Sequence, residues 1–232
     1  MRLGQLPNFR MKIIYLDNAA TTPVDPLVIA AMKPYFNKKY GNPSEFHALG
    51  TQAKIALEYS RKFIADFLGC QAQEIIFTGS ATESINLSHK GLIEAIKNES
   101  PRSFKPHIIT SAIEHSAVLE TCRHLQKTNQ AAITYLPVDC FGLISLKQLK
   151  KAIRQETVLV SVMYVNNEIG TIEPIEAIGR LIKQLNRSNR KNRIYFHTDA
   201  TQAIQYLPSN VKKLGVDFLS FKIGRASCRE RV

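Results

Sequence analysis

Short apolar runs rich in β-branched residues, separated by longer amphipathic stretches, constrain this chain more than any other feature. They are "IIYLD" (13–17), "EIIF" (74–77), "HIITS" (107–111), "AITYLP" (132–137), "VLVSVMYV" (158–165), "RIYFHTD" (193–199) and "DFLSF" (217–221). Between them, segments such as "GTQAKIALEYSRKFIADFLG" and "SATESINLSHKGLIEAI" carry apolar residues at helical spacing. This alternation predicts an α/β fold with a mostly parallel, mixed sheet flanked by helices. A length of 232 residues, 44% of them hydrophobic, suffices for one large domain with a real core. There is no internal repeat and no low-complexity linker.

In open α/β sheets, ligands bind beyond the carboxyl ends of the strands, and in four such places the chain carries chemistry. In "FTGSATES", Ser80 and Glu83 have capping-box spacing, so Ser80 caps a helix whose Ala81 and Thr82 N–H groups suit a phosphate; an ordinary capped helix explains the same pattern. In "AIEHSAV", His115 follows a strand and reads either as a polar cap or as a functional imidazole. In "YVNNEIGT", Asn166, Asn167 and Glu168 follow the most apolar strand, as a loop tied by its own amides or as a binding group. In "HTDATQ", Asp199 closes an apolar strand, where an ionised carboxylate costs several kcal/mol unless it is compensated. It caps a helix at "ATQAIQ", or it waits for a cation.

The formal charge of +12 permits acidic partners. Its Lys and Arg residues are scattered along helical stretches such as "LKQLKKAIRQE", without interleaved stacking aromatics, so solvated helix faces are expected, with nucleic-acid binding the weaker alternative. A basic binding or scaffold protein is the non-enzyme alternative. No apolar stretch approaches the ~20 residues of a membrane span, and the start lacks the apolar middle of a secretory signal. The four cysteines show no CxxC pairing, so neither a disulfide framework nor a metal site is expected, and the expected location is cytoplasmic.

Together "YLDNAATTPVDP", "GNPSEFHALG", "FTGSATESINL", "EHSAVLETCR", "VSVMYVNNEIGTIEPI", "HTDATQAIQYLP" and "VDFLSF" resemble the cysteine desulfurases, pyridoxal 5'-phosphate enzymes of the aspartate aminotransferase fold (fold type I). The resemblance runs in register from about Ile13 to Phe221. It implies that Asp199 pairs with the pyridinium nitrogen of the cofactor, that Ala81 and Thr82 hold its phosphate, and that His115 stacks on the ring and moves protons. It also puts Asn167 and Gln202 at the ring hydroxyl. The implied reaction takes sulfur from L-cysteine, leaves alanine, and passes a persulfide from an enzyme cysteine to iron-sulfur cluster assembly or to tRNA thiolation. The implied partners are a sulfur acceptor or iron-sulfur scaffold protein and a second copy of the chain in a homodimer. A selenocysteine lyase or other class V lyase is the nearest alternative.

After Phe221 the chain departs from the family pattern. Where the resemblance puts Ser, a small residue, His and the Schiff-base lysine, "KIGRASCRERV" follows. Lys222 stands three positions early, and an odd shift along a strand turns a side chain to the opposite face. "IGRASCRERV" reads as one frame of a sequencing adaptor, so residues 222–232, with Cys228, are expected to be a non-native tail. Genomic sequence across Phe221 tests this. The organisation expected is therefore an extension at 1–10, a truncated cofactor-binding large domain at 11–221, and the tail. A chain without the lysine, the mobile-loop cysteine and the carboxy-terminal small domain is expected to be inactive and to expose apolar surface.

Overall fold

Five of the apolar runs form a ladder in the computed structural model, which describes residues 14–18, 21–101, 103–188 and 191–222. The expected extension at 1–10 and all of the expected tail at 222–232 except Lys222, Cys228 included, lie outside the described residues. The chain opens with helices α1 (Pro26–Met32), α2 (Pro34–Asn37) and α3 (Ala48–Leu68), then α4 (Ala81–Glu99). From there strands and helices alternate: β1 (His107–Ser111), α5 (Ser116–Lys127), β2 (Ala132–Leu136), α6 (Leu146–Ala152), β3 (Thr157–Ser161), α7 (Ile175–Arg187), β4 (Tyr195–Asp199), α8 (Val211–Leu214) and β5 (Phe218–Ser220).

The strand order is β2-β1-β3-β4-β5, and all four pairings are parallel. Antiparallel contacts among the described residues are isolated bridges, Val138 with Ile144 and Val165 with Ile172. The order reverses between β1 and β3: the chain steps outward from β1 to β2, then returns to fill the other side. That reversal opens a crevice at the carboxyl edge between β1 and β3.

Helices cover both faces. On one, Ile85 and Ile93 of α4 and Val118, Cys122 and Leu125 of α5 pack on Ile108 and Leu159. On the other, Leu149 of α6, Ile178 and Ile182 of α7 and Leu214 of α8 pack on Ile109, Val160 and Phe196. The central strands β1 and β3 are buried at every position, as a parallel sheet between two helical layers requires. Each fully buried Ile, Leu or Phe contributes about 1.5–3 kcal/mol relative to exposure. On the second face α7 approaches α8 so closely that a Cβ on Gly179 would lie 2.1 Å from the Leu214 carbonyl oxygen.

Two expected strands are not strands. Residues 14–17 and 75–77 have no ladder partner among the described residues, the second lying behind a 3-10 turn at Ala72–Glu74. Leu16 is 84% exposed and Ile76 69%. An apolar β-branched run signals a surface to be buried, and it becomes a strand only where a neighbouring strand supplies the hydrogen bonds. On α3, Ile55, Tyr59, Phe63 and Phe67 repeat every four residues on one exposed stripe.

Candidate functional site

At the carboxyl edge of the sheet, Ala81, Thr82, His115, Asn167, Asp199 and Gln202 line one open cleft. Each arrives by a different route.

Ala81 and Thr82 open α4. The Ser80 hydroxyl accepts the Glu83 N–H at 3.1 Å, as the S-x-x-E spacing predicts. The return half differs: the Glu83 carboxylate accepts the N–H of Gly79 at 2.6 Å instead of that of Ser80. Gly79 lies one residue further out, so the carboxylate braces the turn entering the helix. The first backbone bond of α4 runs from the Ser84 N–H to the Ser80 carbonyl, which leaves the Ala81 and Thr82 N–H groups without protein partners among the described residues. With the helix dipole behind them, they form an anion site.

His115 is both the cap and the cleft residue that the sequence offered as alternatives. Its Nδ1 accepts the Ala117 N–H at 3.1 Å and caps α5. A ring nitrogen that accepts cannot carry the proton, so the neutral ring is protonated at Nε2. Proton exchange by this residue must therefore use Nε2.

The two adjacent amides divide the two readings of "YVNNEIGT" between them. Asn166 is buried and spends its side chain on the loop. Its Nδ2 donates to the Ile113 carbonyl at 2.9 Å, and its Oδ1 accepts from Glu168 and Ile169 N–H at 2.9 and 3.0 Å. Asn167 lines the cleft.

Asp199 ends β4 and is 6% exposed. Its Oδ1 accepts the Thr201 N–H at 2.9 Å. The expected helix at "ATQAIQ" is a series of turns at 201–206, begun by that side-chain bond.

Sequence reasoning passed over two residues. Thr201 lines the cleft 7% exposed, and its buried hydroxyl oxygen has no hydrogen-bond partner among the described residues. A buried hydroxyl without a partner is costly unless a ligand supplies one. Glu114, next to His115, accepts the Ser111 hydroxyl at 2.7 Å and the Met163 N–H at 2.9 Å on Oε1, while its buried Oε2 is unpaired. The acid–imidazole pair of "IEHS" and the Thr inside "DATQ" were the available signals.

Lys222 corrects an expectation. The odd shift was expected to turn it away, yet it lies on the cleft wall. The ladder ends at Ser220, so strand alternation does not govern a residue two positions beyond it.

The aminotransferase class-V family model matches residues 14–222. A cysteine desulfurase IscS of Methanosarcina thermophila is 47% identical over 217 residues, which cover 94% of this chain and 50% of that protein. A mitosomal cysteine desulfurase of Trachipleistophora hominis is 46% identical over 209 residues, covering 89% of this chain and 45% of that protein. Among solved structures, a NifS-like protein superposes with a TM-score of 0.82 at 39% identity, over 90% of this chain and 54% of its own. The structure described as SspA in complex with cysteine gives 0.82 at 40% identity, over 91% of this chain and 57% of its own. The chain thus spans about half the length of the curated relatives it matches.

Proposed function

The chain belongs to the aminotransferase class-V family, and from that premise we propose that it carries the cofactor-holding part of a cysteine desulfurase, with residues 11–221 as the pyridoxal 5'-phosphate-binding large domain. The observation that carries the reading is the meeting, in one cleft, of an anion-ready helix start, a capped imidazole and a strand-end carboxylate. The cleft fits the cofactor chemically. The helix-start N–H groups of Ala81 and Thr82 match a phosphate, the carboxylate matches a pyridinium, and the Thr201 hydroxyl, without a partner among the described residues, matches a polar ring substituent.

When bound, the cofactor supplies an electron sink for breaking bonds at a substrate α-carbon. The protein does the rest. Asp199 keeps a proton on the ring nitrogen, and the low-dielectric strand end strengthens that attraction. Ala81 and Thr82 bind the phosphate. Asn167 and Gln202 would hold the ring at its hydroxyl, and His115 would contact the ring and exchange protons at Nε2.

L-cysteine is the proposed substrate, supported by the relatives' names and by the cysteine-bound structural relative. A sulfur acceptor or iron-sulfur scaffold and a homodimer belong to the same reading. Cytoplasmic residence is proposed on the free thiols of Cys70, Cys122 and Cys140; among the described residues, no helix is long and apolar enough to cross a membrane. Sulfide release by this chain itself is proposed to be nil, because the sequence after Phe221 leaves the family pattern where the lysine belongs. Measurable alanine production with added cofactor and cysteine would contradict this.

Calorimetric titration of the chain with pyridoxamine 5'-phosphate tests the site. Asp199→Asn keeps an acceptor for the Thr201 N–H and removes the charge, so affinity should fall about tenfold or more, as for a lost charge-assisted contact. Unchanged affinity would remove the basis of the reading.

A further inference from the structure

Beneath the cleft, a chain of buried polar groups crosses from α4 to the middle of the sheet. The Ser84 hydroxyl lies 2.9 Å from that of Ser220, which lies 3.0 Å from His197 Nε2, and His197 Nδ1 lies 2.9 Å from the Ser161 hydroxyl. The geometry points to His197 as a positioning residue: by reaching Ser220 of β5 from β4, and through it Ser84 of α4, it sets the span between Asp199 and the start of α4. That span decides the fit of a ligand with an anionic group for the helix and a basic ring for the carboxylate. The inference rests on the cofactor reading above and adds a residue outside the cleft.

Three observations support it. First, His197 and Asp199 are two residues apart on β4, so their side chains share a face of the sheet, the face that α4 covers. Second, Ser84 lies one turn inside α4 from Ala81, so a hydrogen bond there fixes where the start of α4 sits relative to the sheet. Third, the ring stays neutral. Burial, reinforced by the neighbouring His89, holds its pKa well below the usual range. A neutral imidazole donates from one nitrogen and accepts at the other, so in either tautomer the ring can complete a continuous chain with the two hydroxyls. The His89 ring lies edge-on at 4.7 Å and restricts rotation. An apolar side chain would fill the same space without fixing where α4 sits along β4.

The two ring nitrogens allow the branches to be cut separately. His197→Gln reaches the Nε2 position and keeps the bond towards Ser220 and Ser84. His197→Asn reaches only the Nδ1 position and keeps Ser161. Ser84→Ala removes the last link and places a better helix former in α4. Calorimetric titrations of these variants with pyridoxamine 5'-phosphate and with inorganic phosphate provide the test. His197→Gln should bind both probes within about twofold of the unmodified chain. His197→Asn and Ser84→Ala should lose about tenfold in affinity for pyridoxamine 5'-phosphate yet stay within about twofold for inorganic phosphate, because only a ligand that engages both ends depends on their separation.

Equal loss of both probes in Ser84→Ala would mean damage to the helix start itself and would overturn the span argument. So would wild-type affinity for pyridoxamine 5'-phosphate in both His197→Asn and Ser84→Ala. If the unmodified chain binds pyridoxamine 5'-phosphate no more tightly than inorganic phosphate, the cofactor reading falls, and this inference with it.

Discussion

Glu114 accepts the backbone N–H of Met163 at 2.9 Å, and this bond spans the crevice where the strand order reverses. It ties the turn that carries His115 to the segment that leads to Asn167. The same oxygen takes the Ser111 hydroxyl, so Oε2 is left for a proton. Burial pushes the Glu114 carboxyl up to about 8, against favourable bonds from Ser111 and Met163.

The pH dependence of stability follows. In the unfolded chain this carboxyl ionises near its ordinary value, about 4.5, while the folded chain holds the proton until about 8. Between those limits the unfolded state binds fewer protons, so this group's contribution to stability falls as pH rises and then levels off. Glu114→Gln mimics the protonated acid and lacks that loss. Urea unfolding across the window should show the unmodified chain losing stability relative to the variant by roughly 1 kcal/mol per pH unit. Parallel stability curves would show that Glu114 is ionised in the fold.

The adjacent asparagines should separate stability from binding. Asn166→Ala removes two loop N–H acceptor bonds and a donor to Ile113, all part-buried, and should cost about 1–3 kcal/mol in unfolding experiments. Asn167→Ala should leave the melting temperature nearly unchanged and weaken pyridoxamine 5'-phosphate binding. The reverse pattern would exchange the roles assigned to the two residues.

These contrasts show what was legible in the residues. "HIITS" and "RIYFHTD" were readable as strands because both faces of each are covered, which makes a continuous apolar run the cheapest composition. "EIIF" carries the same signal but has no neighbouring strand among the described residues, and pairing is a property of the fold. The cleft residues could be located because strand ends were predictable, whereas nothing local to "NN" says which amide faces the loop. His197 reads in the sequence as one more core position. Its partners, Ser161, Ser220 and Ser84, are 36, 23 and 113 positions away by their residue numbers, so only the parallel register brings them together.

Thr201 should respond to substitution in opposite directions with and without ligand. Thr201→Val keeps the shape, the β-branch and the backbone N–H that Asp199 accepts, and it removes a buried oxygen without a partner among the described residues. Thr-to-Val changes in cores usually cost stability because a hydrogen bond is lost. Here none is present to lose, so the unliganded variant should be as stable as the parent or more stable by about 1 kcal/mol. In the presence of pyridoxamine 5'-phosphate the order should reverse, with affinity falling roughly three- to tenfold, the size of one neutral hydrogen bond. Thermal unfolding with and without the probe reads both effects in one experiment, since a ligand that binds only the folded chain stabilises it by an amount that grows with the logarithm of its concentration over Kd. A variant destabilised in the absence of ligand would mean that the hydroxyl has a partner within the fold, and the cleft would then lose its claim on Thr201.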